Sequence, residues 1–370
     1  MRRGRIAIAM ITARLKAGAT AERVTARLKA GATAERVTAR LKAGATVVAV
    51  VALVIAGGAG VQAYLKLGVN VGTRTVSLRW DRFPVRYFVT DRDVAGVSAA
   101  DLRGAVERAF GRWGAEASAR VSAEFVGFTS AEPFEEDDMN VLGFQDRPDL
   151  DRVLGSTTFL IDTTDGRILE SDIFFNAAFP WSVASDGQSG RFDLEAIATH
   201  EIGHLLGLGH SAIGETELLS GGRRVIGTGA VMFPIAFSSG VTEGRELKAD
   251  DIAGLGDIYS GGGSGTGSIS GKVTREGHGV FGAHVVAFNL RTGKLVSNFS
   301  LDAEGSFVIA GLDPGPHVLR VEPLDDADVD SFFDDTAEVD VDFAVTFLDR
   351  LAVVPRGGSS APVTIAVRGK

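Results

Sequence analysis

The chain has 370 residues, 45% of them hydrophobic and 23% charged, an ordinary globular composition with room for about two domains. A formal net charge of -9 argues against unassisted binding to nucleic acid or anionic lipid. Because there is no cysteine, disulfides, thiolate metal sites and cysteine nucleophiles are excluded, and any metal must be held by histidine or carboxylate.

The N-terminus opens on a tandem repeat. Thr12–Val24 recurs as Thr25–Val37 and begins again at Thr38, a unit too short and too exact for a solenoid. Ala43–Leu65 follows without a charge, flanked by the basic residues of the repeat and by Lys66. Its strongly apolar centre, Val47–Ala56, has the length of a signal-peptide core, and Val61, Gln62 and Ala63 offer a small-residue cleavage site. Residues 1–65 are therefore expected to be a leader, either a signal peptide or an uncleaved anchor. The rest of the chain would then be secreted or held outside the membrane, touching it only through this segment.

Residues 66–260 alternate strand-like and helix-like patterns. Val85–Thr90 reads as a strand, and Ser98 with Asp101 caps a helix whose Leu102, Val106, Phe110 and Trp113 share one apolar face. Ser156–Ile161 and Ile168–Phe175 read as strands joined through an Asp165–Gly166 turn, and Asp193 caps a second helix. Residues 261–267 are a Gly/Ser linker, expected to isolate the C-terminal part of the chain. In residues 268–370, Ser268–Thr274, His284–Asn289, Leu295–Leu301 and Ser306–Ile309 read as short strands, completed by Val345–Val354 and Ala361–Val367. That is an all-β sandwich.

The helix capped by Asp193 carries the chemistry. His200 and His204 are four residues apart, so both imidazoles lie on one helical face and can reach one ion. Glu201 follows the first histidine and can stand beside a water on that ion without ligating it. Gly207 can take the left-handed conformation that ends a helix, which turns the chain back and brings His210 round as a third ligand. Three imidazoles leave a fourth position on zinc open, the arrangement of a catalytic site.

His200–His210 followed by Ser211 resembles the zinc signature of the matrixins, within the metzincin metallopeptidases. Ala230–Pro234 is similar to the family's Met-turn, with Met232 beneath the metal, and Leu247, Asp250, Asp251, Ile252, Gly254 and Tyr259 are similar to its closing helix. The resemblance spans roughly Val71–Ser260. It implies an α+β metzincin core, with a twisted, mainly parallel sheet packed on helices, and a zinc endopeptidase acting on protein or peptide substrates. Glu201 would be the general base. It also implies that Ser171–Asn176, with Ile173 and Phe174, forms a sheet edge on which substrate pairs. Ala196 would stand at the mouth of a primed-side pocket walled by Pro234–Phe237. No histidine precedes His200, so a single zinc is expected, and the lack of cysteine removes the thiolate that blocks the zinc in many matrixin propeptides.

Glu135, Glu136, Asp137, Asp138 and Asp165 are either calcium ligands or solvated loop residues. Beyond the linker, Gly305–Phe307, Ala310–Leu312 and Gly315–Val318 resemble the carboxypeptidase regulatory-like, transthyretin-like domain. His278, His284 and His317 there read as surface or packing residues, and Asp325–Asp335 as a solvated acidic loop, with calcium binding as the alternative. The competing reading is a non-catalytic surface-binding protein built on a metzincin scaffold and a β-sandwich. The sequence leaves the oligomeric state open.

Overall fold

Among the described residues of the first half, one seven-stranded mixed sheet, three two-stranded sheets and three α-helices are formed. The computed structural model describes residues 5–9, 12–14, 66–71, 74–220, 222–260, 265–333 and 337–370. Most of the tandem repeat, the apolar stretch Ala43–Leu65 and residues 261–264 of the linker lie outside the described residues. No helix among the described residues is long and apolar enough to cross a membrane.

The elements run β1 (Arg5–Ala9), β2 (Thr12–Arg14), β3 (Gly68–Val71), β4 (Arg74–Ser77), β5 (Val85–Thr90), α1 (Ala99–Gly114), β6 (Ala123–Thr129), β7 (Val141–Gln145), β8 (Val153–Asp162) and β9 (Arg167–Asn176). Two short paired strands, β10 (Trp181–Ser182) and β11 (Phe192–Asp193), lead into α2 (Leu194–Leu205). The hairpin β12 (Gly214–Leu219) and β13 (Gly222–Thr228) precedes α3 (Ala249–Tyr259). The main sheet has the order β1-β8-β9-β7-β5-β6, with β2 also on β8. Strands β6, β5, β7 and β9 are parallel, and β8, β1 and β2 continue the sheet antiparallel.

Helix α1 is the crossover that a parallel β5–β6 pair requires. Ser98 and Asp101 form its capping box, and Leu102, Val106, Phe110 and Trp113 face the core as the period predicts. The Trp113 indole donates to the Thr199 carbonyl at 2.9 Å, while Arg108 and Arg112 both pair with buried Glu195. Helix α2 is thereby fixed against α1 before any metal is considered.

The structure corrects the expected sheet edge. Strand β9 pairs with β7 on one side (Leu142 opposite Ile173) and with β8 on the other (Thr157 opposite Ile173, Ser156 opposite Phe174). Ile173 and Phe174 therefore have no free backbone edge, and both side chains are buried, Phe174 edge-on against Phe134. The Asp165–Gly166 turn joins β8 and β9 as a hairpin, and β8 lies between β9 and the N-terminal strands. Its other side carries β1 and β2 in one register, from Arg5 opposite Asp162 to Arg14 opposite Val153. The segment expected to begin the leader adds strands to this sheet, consistent with the alternation in Arg5–Ala9.

The second half contains β14 (Gly267–Arg275), β15 (His278–Gly279), β16 (His284–Asn289), β17 (Leu295–Phe299), β18 (Ser306–Leu312), β19 (Gly315–Glu322), β20 (Thr346–Phe347), β21 (Ala352–Val354) and β22 (Val363–Val367). One sheet joins β15, β14, β18 and β22, and the other joins β17, β16, β19, β20 and β21. Both sheets feed one apolar core that includes Ile269, Val285, Phe307, Leu319 and Phe343. His284 is buried against Glu322 and His317 against Asn289, whereas His278 is exposed.

The linker does not isolate this half. Ala253 of α3 belongs to the same apolar core, and buried Asp250 accepts a hydrogen bond from the Ser297 amide at 2.8 Å. A glycine-rich connection permits separation, but the apolar face of α3 favours docking.

Candidate metal centre

Asp193 opens α2 by accepting from the Ala196 amide at 2.8 Å, and Arg245 holds the same carboxylate from the far side. Four residues apart, His200 and His204 then project together from a helix that is almost wholly buried. Gly203, between them, is packed closely. A Cβ there would stand 2.3 Å from the Met232 sulfur and 2.9 Å from Trp113, so glycine is what lets the Met232 turn reach the underside of α2.

The helix ends in a Schellman motif. The Gly207 amide bonds the His204 carbonyl at 2.6 Å and the Leu208 amide bonds that of Gly203 at 3.0 Å, with Gly207 at φ +92°. The Leu78 carbonyl would meet a Cβ at Gly207 at 2.4 Å, so glycine is required both for the conformation and for the space. The reversed chain delivers His210 to the other two histidines.

The three imidazoles offer ligand atoms that all lie within 4.8 Å of one another, and all three residues are buried. Each Nδ1 faces a carbonyl oxygen: His200 that of Val231 at 2.8 Å, His204 that of Leu208 at 2.7 Å, and His210 that of Ser331 at 2.6 Å. A carbonyl can only accept, so each Nδ1 carries the proton and each Nε2 presents a lone pair. The Nε2 atoms of His200 and His204 are 3.1 Å apart. Two lone pairs so close repel one another, but they suit a shared cation, since tetrahedral zinc–nitrogen bonds of about 2.0–2.1 Å hold their ligand atoms at a similar spacing. Burial pushes the His200 pKa down to about 4, opposed by its Val231 hydrogen bond. Burial also holds His204 well below the usual range, reinforced by the neighbouring histidines. Both are neutral at pH 7, the state a metal ligand needs, and the donor set fits zinc.

Glu201 is fully buried on the same turn, and its carboxylate accepts from the Thr157 hydroxyl of β8 at 2.8 Å. Gly155, also on β8, leaves room for that carboxylate, since a Cβ would come within 3.0 Å of it. Asp251 is a second support. It accepts from the amides of Val231 (2.8 Å), Met232 (3.1 Å) and Lys248 (2.8 Å), tying the Met232 turn to α3 and, through the Val231 carbonyl, to His200. Sequence reasoning placed Asp251 only in a closing helix and missed Thr157 and Gly155, because no local pattern marks a hydroxyl or a glycine that matters only across the sheet.

Beside His200 opens a pocket lined by Ala196, Ile197, Phe233, Ile235, Phe237 and Val241 among others. Of the residues expected here, Ala196 and Phe237 line it and Pro234 does not; Ile173 and Phe174 lie in packed cores away from it. Gly244 packs against Ala196, where an added Cβ would stand 3.1 Å from the alanine side chain, and both residues line the pocket. The acidic residues Glu135, Glu136, Asp137, Asp138 and Asp165 take no part in the gathering of ligand atoms at the histidines. The loop they begin is held instead by Glu170, which accepts from the Asp138 amide, and by Asp172, which accepts from those of Phe134 and Val141.

Residues 79–260 match the matrixin family of peptidases. That match takes in just under half of the chain. Among curated proteins, it is 30% identical over 172 residues to metalloendoproteinase 2-MMP of Arabidopsis thaliana, covering 43% of this chain and 37% of that one. It is 29% identical over 190 residues to metalloendoproteinase 1-MMP of the same plant, covering 49% and 44%, and 36% identical over 97 residues to metalloendoproteinase 1 of Glycine max, covering 26% of each. The chain thus spans less than half the length of these relatives. Each of these relatives is named a metalloendoproteinase.

Proposed function

We propose that the matrixin domain is a zinc-dependent endopeptidase, with His200, His204 and His210 holding one zinc and Glu201 acting as general base. The observation that carries this is the convergence of three buried imidazoles, with their Nδ1 atoms engaged by carbonyls and the Nε2 atoms of His200 and His204 turned to one another. Bound there, zinc supplies the Lewis acidity that activates water near neutral pH and polarises a scissile carbonyl. Glu201, aimed by the Thr157 hydroxyl, takes the proton and passes it to the leaving amine. Burial keeps both steps out of bulk water.

The apolar lining of the pocket beside His200 supports a preference for a large apolar side chain just after the cleaved bond, since filling an apolar site contributes roughly 1.5–3 kcal/mol. Substrates are proteins outside the cell or in its envelope, a reading supported by the leader-like composition of residues 1–65. The C-terminal half is read as a carboxypeptidase regulatory-like β-sandwich, supported by its two sheets around one core.

Metal analysis and peptide-library cleavage on purified protein test the proposal together. One zinc per chain, chelator-sensitive internal cleavage and an apolar preference after the scissile bond are expected. Glu201→Ala should keep the zinc and lose several orders of magnitude in rate, whereas His204→Ala should lose the metal as well. Zinc-free parent protein, or a Glu201→Ala enzyme as fast as the parent, would overturn the mechanism.

A further inference from the structure

The acidic run Asp325–Asp335 reads in the sequence as a solvated loop. Its described part instead crosses onto the metal centre. Asp326 accepts the Thr216 amide of β12 at 2.8 Å, and its own carbonyl accepts the Thr216 hydroxyl at 2.8 Å. Asp328 lies 3.9 Å from Arg223 of β13. Between these tethers and β17 the chain makes a short turn, Val329–Ser331, which brings the Ser331 carbonyl to His210 Nδ1 at 2.6 Å. The next ring, Phe332, stands edge-on to the His210 imidazole, with centroids 6.2 Å apart at 76°. Phe332 and Phe333 are both buried and both stack on Phe299 of β17, at 5.4 and 5.1 Å. The same apolar cluster takes in Phe233 and, at its margin, Ile235 and Phe237 from the wall of the pocket.

The three histidines are therefore supported unequally. His200 and His204 sit on a rigid helix and take their Nδ1 partners from the matrixin domain. His210 sits beyond the helix end and takes its partner from the C-terminal half. A carbonyl on the outer nitrogen of a ligating imidazole fixes its tautomer and ring direction, and losing such a partner typically costs 10- to 100-fold in metal affinity.

We propose that Asp326–Phe333 is a positioning strap, through which the C-terminal half holds the third histidine in its metal-binding orientation and backs the wall of the substrate pocket. Phe332 and Phe333 clamp the strap onto β17, and the Ser331 carbonyl is the atom presented to His210. The inference rests on the zinc-endopeptidase reading of the three histidines.

The test uses the full chain with Phe332→Ala, Phe332→Leu and, as a control, Phe347→Ala at an exposed position of the same half. Zinc affinity is measured by competition with a chelator, alongside thermal unfolding of the zinc-free proteins. Phe332→Ala should bind zinc about 10- to 100-fold more weakly. Phe332→Leu should recover most of that loss, and Phe347→Ala should match the parent. Parental zinc affinity in Phe332→Ala would overturn the strap while leaving the endopeptidase reading intact. A parent that binds no zinc would sink the endopeptidase reading itself, and the strap with it. Should Phe332→Ala fail to fold, nitrogen-15 spectra of the zinc-loaded parent decide. A protonated His210 Nδ1 whose hydrogen shows a nuclear Overhauser contact to the Phe332 ring is expected. Zinc on Nδ1, or no such contact, would overturn the proposal.

Discussion

Gly203 shows how closely a single position can be constrained at the centre of the site. On helix propensity alone, Gly203→Ala would gain about 1 kcal/mol. The new methyl, however, would meet the Met232 sulfur at 2.3 Å and Trp113 at 2.9 Å, both buried and both held by other contacts. Overpacking of that kind costs roughly 1–3 kcal/mol, so the steric term wins. Urea unfolding of Gly203→Ala should show a net loss of stability with an unchanged dependence on denaturant. A more stable variant would mean that the Met232 turn does not press on α2 as described.

At the scale of elements, the β8–β9 pair carries a pH dependence. Burial raises the Glu170 carboxyl to about 7 and that of Asp172 to about 8, with the neighbouring acidic loop adding to both shifts. Each folded-state value lies above its unfolded value, so the folded protein holds more protons through this range. Stability from these groups is full below about pH 4 and is lost as the pH rises through 7 and 8. His200, lowered to about 4, acts oppositely: its contribution is present above its ordinary value near 6.5 and is lost as the pH falls toward 4. Melting temperatures of zinc-free protein should therefore decline from pH 6.5 to 8, and the decline should be shallower in Glu170→Gln. Parallel profiles for the two proteins would exclude Glu170 as a source.

At the scale of the whole molecule, the two halves form one working unit. The Gly/Ser linker suggests that removing residues 261–370 would leave cleavage of short peptides unchanged, whereas the contacts between the two halves favour the opposite outcome. Removal would expose Ala212, Phe233 and Ala253, strand Asp250 without its Ser297 donor, and take away the Ser331 carbonyl. A chain ending at Ser260 should bind zinc more weakly, melt at a lower temperature and expose apolar surface to dye binding. Parental zinc affinity and activity in that shortened chain would show that the C-terminal half is dispensable for catalysis.

The sequence by itself determined what depends on local geometry. His200 and His204 share a face because a helix turns every 3.6 residues, and Gly207 reverses the chain because a residue without Cβ can take φ +92°. The Ser98–Asp101 capping box, the Asp193 cap, the α1 apolar face and most C-terminal strands were legible for the same reason. Only the tertiary structure decided which strand lies outermost, what aims Glu201 and what holds His210. Those answers lie 44 residues from Glu201, at Thr157, and 121 residues from His210, at Ser331. No periodicity reaches that far: a hydroxyl on a buried strand and a main-chain carbonyl in an acidic turn acquire their roles only when packing brings them to the site.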